Sequence, residues 1–347
     1  MPAGSGRKSE SVTVGIAHGD RHVSIGAVMG RLEPAFNRFR CRLISVALQL
    51  SSCRERPISH KGTTMALNRA YEEHEVTPEI RRMYASIRSA FDLPFVPTVF
   101  KLSAGIPQYL KVVWKDLESV VCSREFETAA RAYQEIAHSA AISGGWTFSD
   151  QPAVLSADKF SNADIRVIGG MVGLFARATA QMALFSRLIQ RGYSGGQKGR
   201  VTKLKQVSAL AQMVRVHVPN EREAGLRVWL IYSDIKKTTG AKTVFSLYRA
   251  LSPFPSYLAS AWLDGKRLLA EPSFITAREE LNRRARALLA GLPVKDHRAI
   301  LKDLSAAQWR EIEEMVDGFA QLLPEFTLLT SVWQRSFPNA SRMIGAA

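Results

Sequence analysis

The sequence predicts an all-α fold made by tandem duplication of one helical domain, with the two copies forming an intramolecular pseudo-dimer. Apolar residues recur at intervals of three and four over most of the chain after residue 76, the period of one helix face. The chain also matches itself in register, at a shift of 148 residues over 84–129 and at a shift of 144 further on. Strand-like patterning is confined to short runs such as Val228 to Tyr232, which the shift places opposite a helix, so that run is assigned to helix as well.

The first helix opens at Thr77. A threonine accepts from the orphan amides of the first turn, Pro78 suits the first helical position, and Glu79 complements the positive end. Ile80, Tyr84, Ile87 and Phe91 then form one face. Pro94 and Pro97 close it, and Pro107 starts another helix with Leu110, Trp114 and Leu117 on one side. The strongest pattern comes later, with Ile165, Ile168, Val172, Phe175, Thr179 and Met182 as one apolar stripe. In the second copy Trp309, Ile312, Val316, Phe319, Leu323 and Phe326 take those places.

In the first matching block, 11 of 46 positions are identical. They include Tyr84 with Tyr232, Pro107 with Pro255, Tyr109 with Tyr257, Trp114 with Trp262, Asp116 with Asp264 and Phe126 with Phe274. In the second block Ser161, Arg166, Ile168, Met171 and Phe175 meet Ser305, Arg310, Ile312, Met315 and Phe319. A period this long exceeds that of solenoid repeats and points to domain-sized copies facing each other as subunits do in an isologous dimer. The expected organisation is an N-terminal extension over 1–64, a first repeat over 65–195, a linker over 196–210 and a second repeat over 211–347. The Gly- and Lys-rich run from Gly192 to Lys205 reads as flexible and exposed.

Residues 1–64 hold ten Lys/Arg against four Asp/Glu and show no sustained period. They read as an upstream stretch before a true start at Met65, as a targeting arm, or as a basic tail. The net charge of +16 leaves +10 for the remaining residues. That moderate excess fits a soluble protein as well as a nucleic-acid partner. Between Asp164 and Glu221 there are nine Lys/Arg and no acid, but no aromatic interleaving or nucleic-acid motif accompanies them, so a solvated linker with basic helix ends is preferred. Cys41, Cys53 and Cys122 form no CxxC pair, which argues against a disulfide scaffold or zinc site and for a reduced, cytoplasmic protein. Val167 to Ser186 is the most apolar stretch, yet Arg177 sits inside it, so it is assigned to a buried core helix rather than to a membrane.

With the duplication drawn, the run FVPTVFKLSAGIPQYLKVVW and its echo TVFSLYRALSPFPSYLASAW resemble the group I (DehI-type) 2-haloacid dehalogenases. The resemblance covers about residues 71–340 and implies an all-helical pseudo-dimer with its site between the halves. It also implies a cofactor-free reaction on a short 2-haloacid, in which an aspartate activates water for direct displacement of halide. That aspartate lies between a serine and an aromatic residue, eight positions before the proline of the second motif. Here the position is Leu247, between Ser246 and Tyr248, so the catalytic group is unassigned. The family's Asn-Pro pair has no counterpart in this chain. Phe95 and Thr98 fall on pocket positions, which makes Phe95, Thr98, Ser246, Leu247 and Tyr248 the candidate substrate-binding residues, with no metal ligand among them.

Three functional readings follow: a dehalogenase-like hydrolase, an inactive or altered relative that binds a small ligand, and a basic interaction protein. A homodimer of the whole chain is compatible with all three. Asp234 could replace the missing base, but a solvated helix carboxylate explains it more simply. His74, His138, His217 and His297 stand alone in sequence and read as surface or internally satisfied residues.

Overall fold

The computed structural model describes residues 67, 69–203 and 216–337, all within one contact unit, Thr64–Ala347. The proposals for residues 1–64 and for the middle of the linker fall outside the described residues.

Twelve α-helices follow one another among the described residues: α1 Pro78–Phe91, α2 Thr98–Ser103, α3 Pro107–Val121, α4 Arg124–Ser143, α5 Gln151–Ala157, α6 Asn162–Tyr193, α7 Leu226–Thr239, α8 Ser246–Ala250, α9 Pro255–Leu269, α10 Pro272–Leu288, α11 His297–Ile300 and α12 Ala306–Arg335. No β-strand occurs among these residues, only the isolated bridges Ser123–Lys203 and Gln197–Val294.

Local chemistry sets the boundaries. Thr77 accepts from the Ile80 amide at the start of α1, and Asp92, in the left-handed region at φ 50°, ends it. The chain therefore leaves the helix before Pro94 rather than at it. Both long helices begin with a capping box, Ser161 with Asp164 and Ser305 with Gln308. Ile80, Tyr84, Ile87 and Phe91 are all buried, as their spacing requires.

Helices α6 and α12 pack along each other more extensively than any other pair and form the spine of the molecule. Aromatic residues fill in on either side. Phe91, Phe100, Trp114 and Phe185 interlock in the first half, with Phe91 edge-on to Phe185 at 5.4 Å. In the second half Tyr248 stands edge-on to Trp262 at 5.6 Å and to Phe326 at 6.4 Å, geometries that suit the ring quadrupoles. Helix α6 is long and apolar enough to cross a membrane, but most of it is covered by the rest of the protein.

The described part of the linker is exposed but fastened. Gln197 exchanges two backbone hydrogen bonds with Val294, at 2.7 and 2.9 Å, and Thr202 is gripped by the Arg124 amide and the Glu125 carboxylate. Glycine is required here for contact as well as freedom: at Gly196 (φ 73°) a Cβ would lie 2.6 Å from the Val294 carbonyl oxygen. The expectation of a free tether thus fails for residues 194–203.

The basic run divides as expected into exposed linker charges, Lys198 and Arg200, and a basic helix end at Arg191, but the arginines within α6 are not idle. Arg177 donates to Asp92, Arg187 to Asn282 and the Ala320 carbonyl, and Arg191 to the Leu289 carbonyl. These arginines sew α6 to its neighbours. Asp234 is a partly exposed helix carboxylate, as expected, and it also has partners: it accepts from Trp262 Nε1 at 2.7 Å and pairs with Lys266 at 2.8 Å.

Candidate active site

A cavity of about 390 Å³ opens where α2, α6, α8 and α12 converge with the 240–245 loop. Its walls are mostly apolar. Phe95 stacks on Phe175 at 4.9 Å, and Phe245 stacks on Phe326 at 4.1 Å. Each pair clamps one connecting segment against one long helix.

Polar groups are few and pointed. Thr98 Oγ1 and Ser246 Oγ lie 3.1 Å apart at the junction of α2 and α8, residues that the 148-residue shift equates. Thr179 bonds back to the Phe175 carbonyl at 2.9 Å. At the mouth Lys242 pairs with Glu314 at 3.2 Å, and Glu311 lies one turn earlier on α12. An apolar chamber with a few convergent hydroxyls and a charged rim suits a small organic molecule with one polar end.

The five expected site residues divide. Phe95, Thr98 and Ser246 line the cavity. Leu247 and Tyr248 are fully buried and absent from its wall. Among the described residues the Tyr248 hydroxyl has no hydrogen-bond partner, and burial pushes its pKa well above the ordinary phenol range. A Cβ at Gly265 would lie 3.2 Å from that hydroxyl, so the missing side chain there makes room for the phenol. Sequence reasoning missed Lys242, Glu311 and Glu314, which come from a loop and a distant helix.

A second, polar basin of about 610 Å³ adjoins the first and shares Thr98, Lys242 and Thr243 with it. Arg249 lines it, 4% exposed, its Nε donating to the Pro219 carbonyl at 2.8 Å.

Away from both chambers, His297 takes the internal alternative that the sequence left open, and its partner is distant in the chain. It is fully buried, with Nε2 2.9 Å from Asp116 Oδ2. Burial raises the Asp116 pKa, but the contacts from His297 and the Lys295 amide outweigh it, so the net shift is downward. Glu325 behaves oppositely: burial dominates its partial pairing with Arg278 and raises its pKa. The consequences for stability have opposite sign. Asp116 contributes stability above the ordinary aspartate range, lost as pH falls through its depressed folded value. Glu325 binds its proton more tightly when folded, so its contribution declines as pH rises above the ordinary glutamate range. In melting curves against pH, Asp116→Asn is expected to flatten the acid limb below about pH 4. Glu325→Gln is expected to flatten the decline on the other side.

Comparison with known proteins matches these features to one group. A family model described as halocarboxylic acid dehydrogenase DehI matches residues 94–248. An (R)-2-haloacid dehalogenase of Rhizobium sp. (strain NHG3) is 24% identical over 241 residues, covering 67% of this chain and 91% of the relative. Another, from Pseudomonas putida, is 25% identical over 278 residues, covering 76% and 90%. Among solved structures, a D-2-haloacid dehalogenase in complex with L-LA superposes with a TM-score of 0.69 at 22% identity, over 82% of this chain and 99% of that one. A mutant in complex with D-2-CPA gives a TM-score of 0.61 at 22% identity, over 79% and 95%.

Proposed function

The chain belongs to the DehI-type 2-haloacid dehalogenase family, and we propose on that premise that its apolar cavity holds a short 2-substituted carboxylic acid while the family's catalytic aspartate is replaced by Leu247. The observation that carries this is the split between walls and base. The chamber has aromatic clamps and the Thr98–Ser246 hydroxyl pair, whereas position 247 holds a side chain that takes no proton and is buried away from the chamber. The substrate-binding set is Phe95, Thr98 and Ser246, backed by Leu247 and Tyr248.

The same reading includes a tandem duplication, with repeats at 65–195 and 211–347. The order and lengths of the helices support it. Helices α1 and α7 have 14 residues each, α3 and α9 15 each, and α6 and α12 32 and 30. The cavity then lies on the pseudo-dyad, where Thr98 and Ser246 meet.

Halide release from both enantiomers of 2-chloropropionate tests the proposal. The wild-type chain is expected to release halide about 10²–10⁴-fold more slowly than the Leu247→Asp variant, because general-base assistance contributes about that much and position 247 supplies none. Robust release by the wild type would overturn it. Recovery of release in Leu247→Asp would support the assignment of the position.

A second reading, hydrolysis with a substitute base, is favoured by one observation: Glu311 and Glu314 line the cavity. Under that reading the wild type is active, and Glu311→Gln or Glu314→Gln lowers the rate by about 10²-fold or more.

A further inference from the structure

Arg249 stands out among the cations of the polar basin. Lys236 pairs with Glu221 at 3.0 Å, Lys242 with Glu314, and Arg69 with Glu75, while Arg222 is exposed to solvent. Arg249 is more deeply buried than any of these, yet among the described residues no carboxylate pairs with it; the one hydrogen bond of its guanidinium goes from Nε to a backbone carbonyl. A buried guanidinium without a counter-ion is costly unless something else supplies the charge.

The other half of the chain shows the usual arrangement. Lys101 lies 148 residues before Arg249, is 8% exposed, and pairs with Glu72. The residue 148 positions after Glu72 is Asn220, whose side-chain oxygen instead accepts from the Arg222 amide. A buried cation is therefore present in both halves, but its carboxylate in only one. The asymmetry falls at the basin that opens beside the apolar cavity.

We propose that Arg249 is the anchor of an anion-binding site, and that its ligand is the carboxylate of a small organic acid. A guanidinium presents parallel donors that match a planar carboxylate. The basin also contains Glu75 and Glu221, which repel a multiply charged anion such as phosphate. Since Thr98, Lys242 and Thr243 belong to both chambers, an acid held here by its head directs its tail into the apolar cavity. That placement of the tail rests on the reading given under Proposed function; the Arg249 site does not.

Two variants test the site in the full chain by titration calorimetry and melting temperature. Asn220→Glu supplies the carboxylate that Glu72 provides to Lys101, and Arg249→Met removes the cation. Acetate and 2-chloropropionate are expected to bind the wild type, and both variants to weaken them by roughly ten-fold or more. Asn220→Glu is also expected to raise the ligand-free melting temperature, which keeps the test readable if Arg249→Met folds poorly. Unchanged affinities in Asn220→Glu would overturn the proposal, as would phosphate binding as tightly as acetate. Acetate reads the basin alone, and the gain from acetate to 2-chloropropionate reads the cavity. Arg249-dependent acetate binding without that gain would leave the site standing and remove the cavity reading.

Discussion

Gln151→Leu is expected to lower the stability of the fold by about 3 kcal/mol, a fall in melting temperature of roughly 5 °C. Gln151 is fully buried in the first turn of α5, yet every polar atom of its amide is used. Its oxygen accepts from the Tyr257 hydroxyl at 2.6 Å and from Trp333 Nε1 at 3.2 Å, while its nitrogen donates to the Ser149 carbonyl at 2.8 Å. Trp333 Nε1 also donates to the Tyr257 oxygen at 3.0 Å, closing a three-membered network between α5, α9 and α12. Leucine matches the volume but strands the phenol, and a buried unmade hydrogen bond costs about 1–3 kcal/mol. Adding Tyr257→Phe removes the stranded donor, so the double variant should lose less than the two singles together. Additive losses in chemical denaturation would show that the three groups are not coupled.

Gly192→Ala is expected to cost a similar amount, about 3 kcal/mol, although it adds one methyl group to a helix. That carbon would sit 2.2 Å from Nδ1 of His297. The ring has nowhere to go, since it is enclosed and held through Nε2 by Asp116. On an exposed helix the same change would stabilise by about 1 kcal/mol, so the sign alone decides whether packing against His297 governs this position. Shrinking the ring in a Gly192→Ala/His297→Ala pair should recover part of the loss.

The helices were legible because their signals are local. Thr77-Pro78-Glu79 and the capping serines at 161 and 305 act within one turn, and the apolar spacing survives whatever the partner helix is. The aromatic clamp at Phe95 and the hydroxyls of Thr98 and Ser246 were reachable through the resemblance and the 148-residue shift. The charged groups were not. Asp116 and His297 are 181 residues apart, and nothing near either marks the other. The acceptors of Arg177, Arg187 and Arg191 could not be read either, since composition carries no information on which guanidinium finds which acceptor. Arg249 had a signal in the chain: at the 148-residue shift Lys101 falls beside Arg249 and Glu72 beside Asn220, a carboxylate in one place and an amide in the other.

The hydroxyl pair at the meeting of α2 and α8 has an evolutionary consequence. In a homodimer one codon writes both sides of a shared chamber, so any change that improves one wall is imposed on its mirror image. Thr98 and Ser246 are encoded separately. A substitution at one of the two therefore changes one side of the chamber and leaves the other as it is.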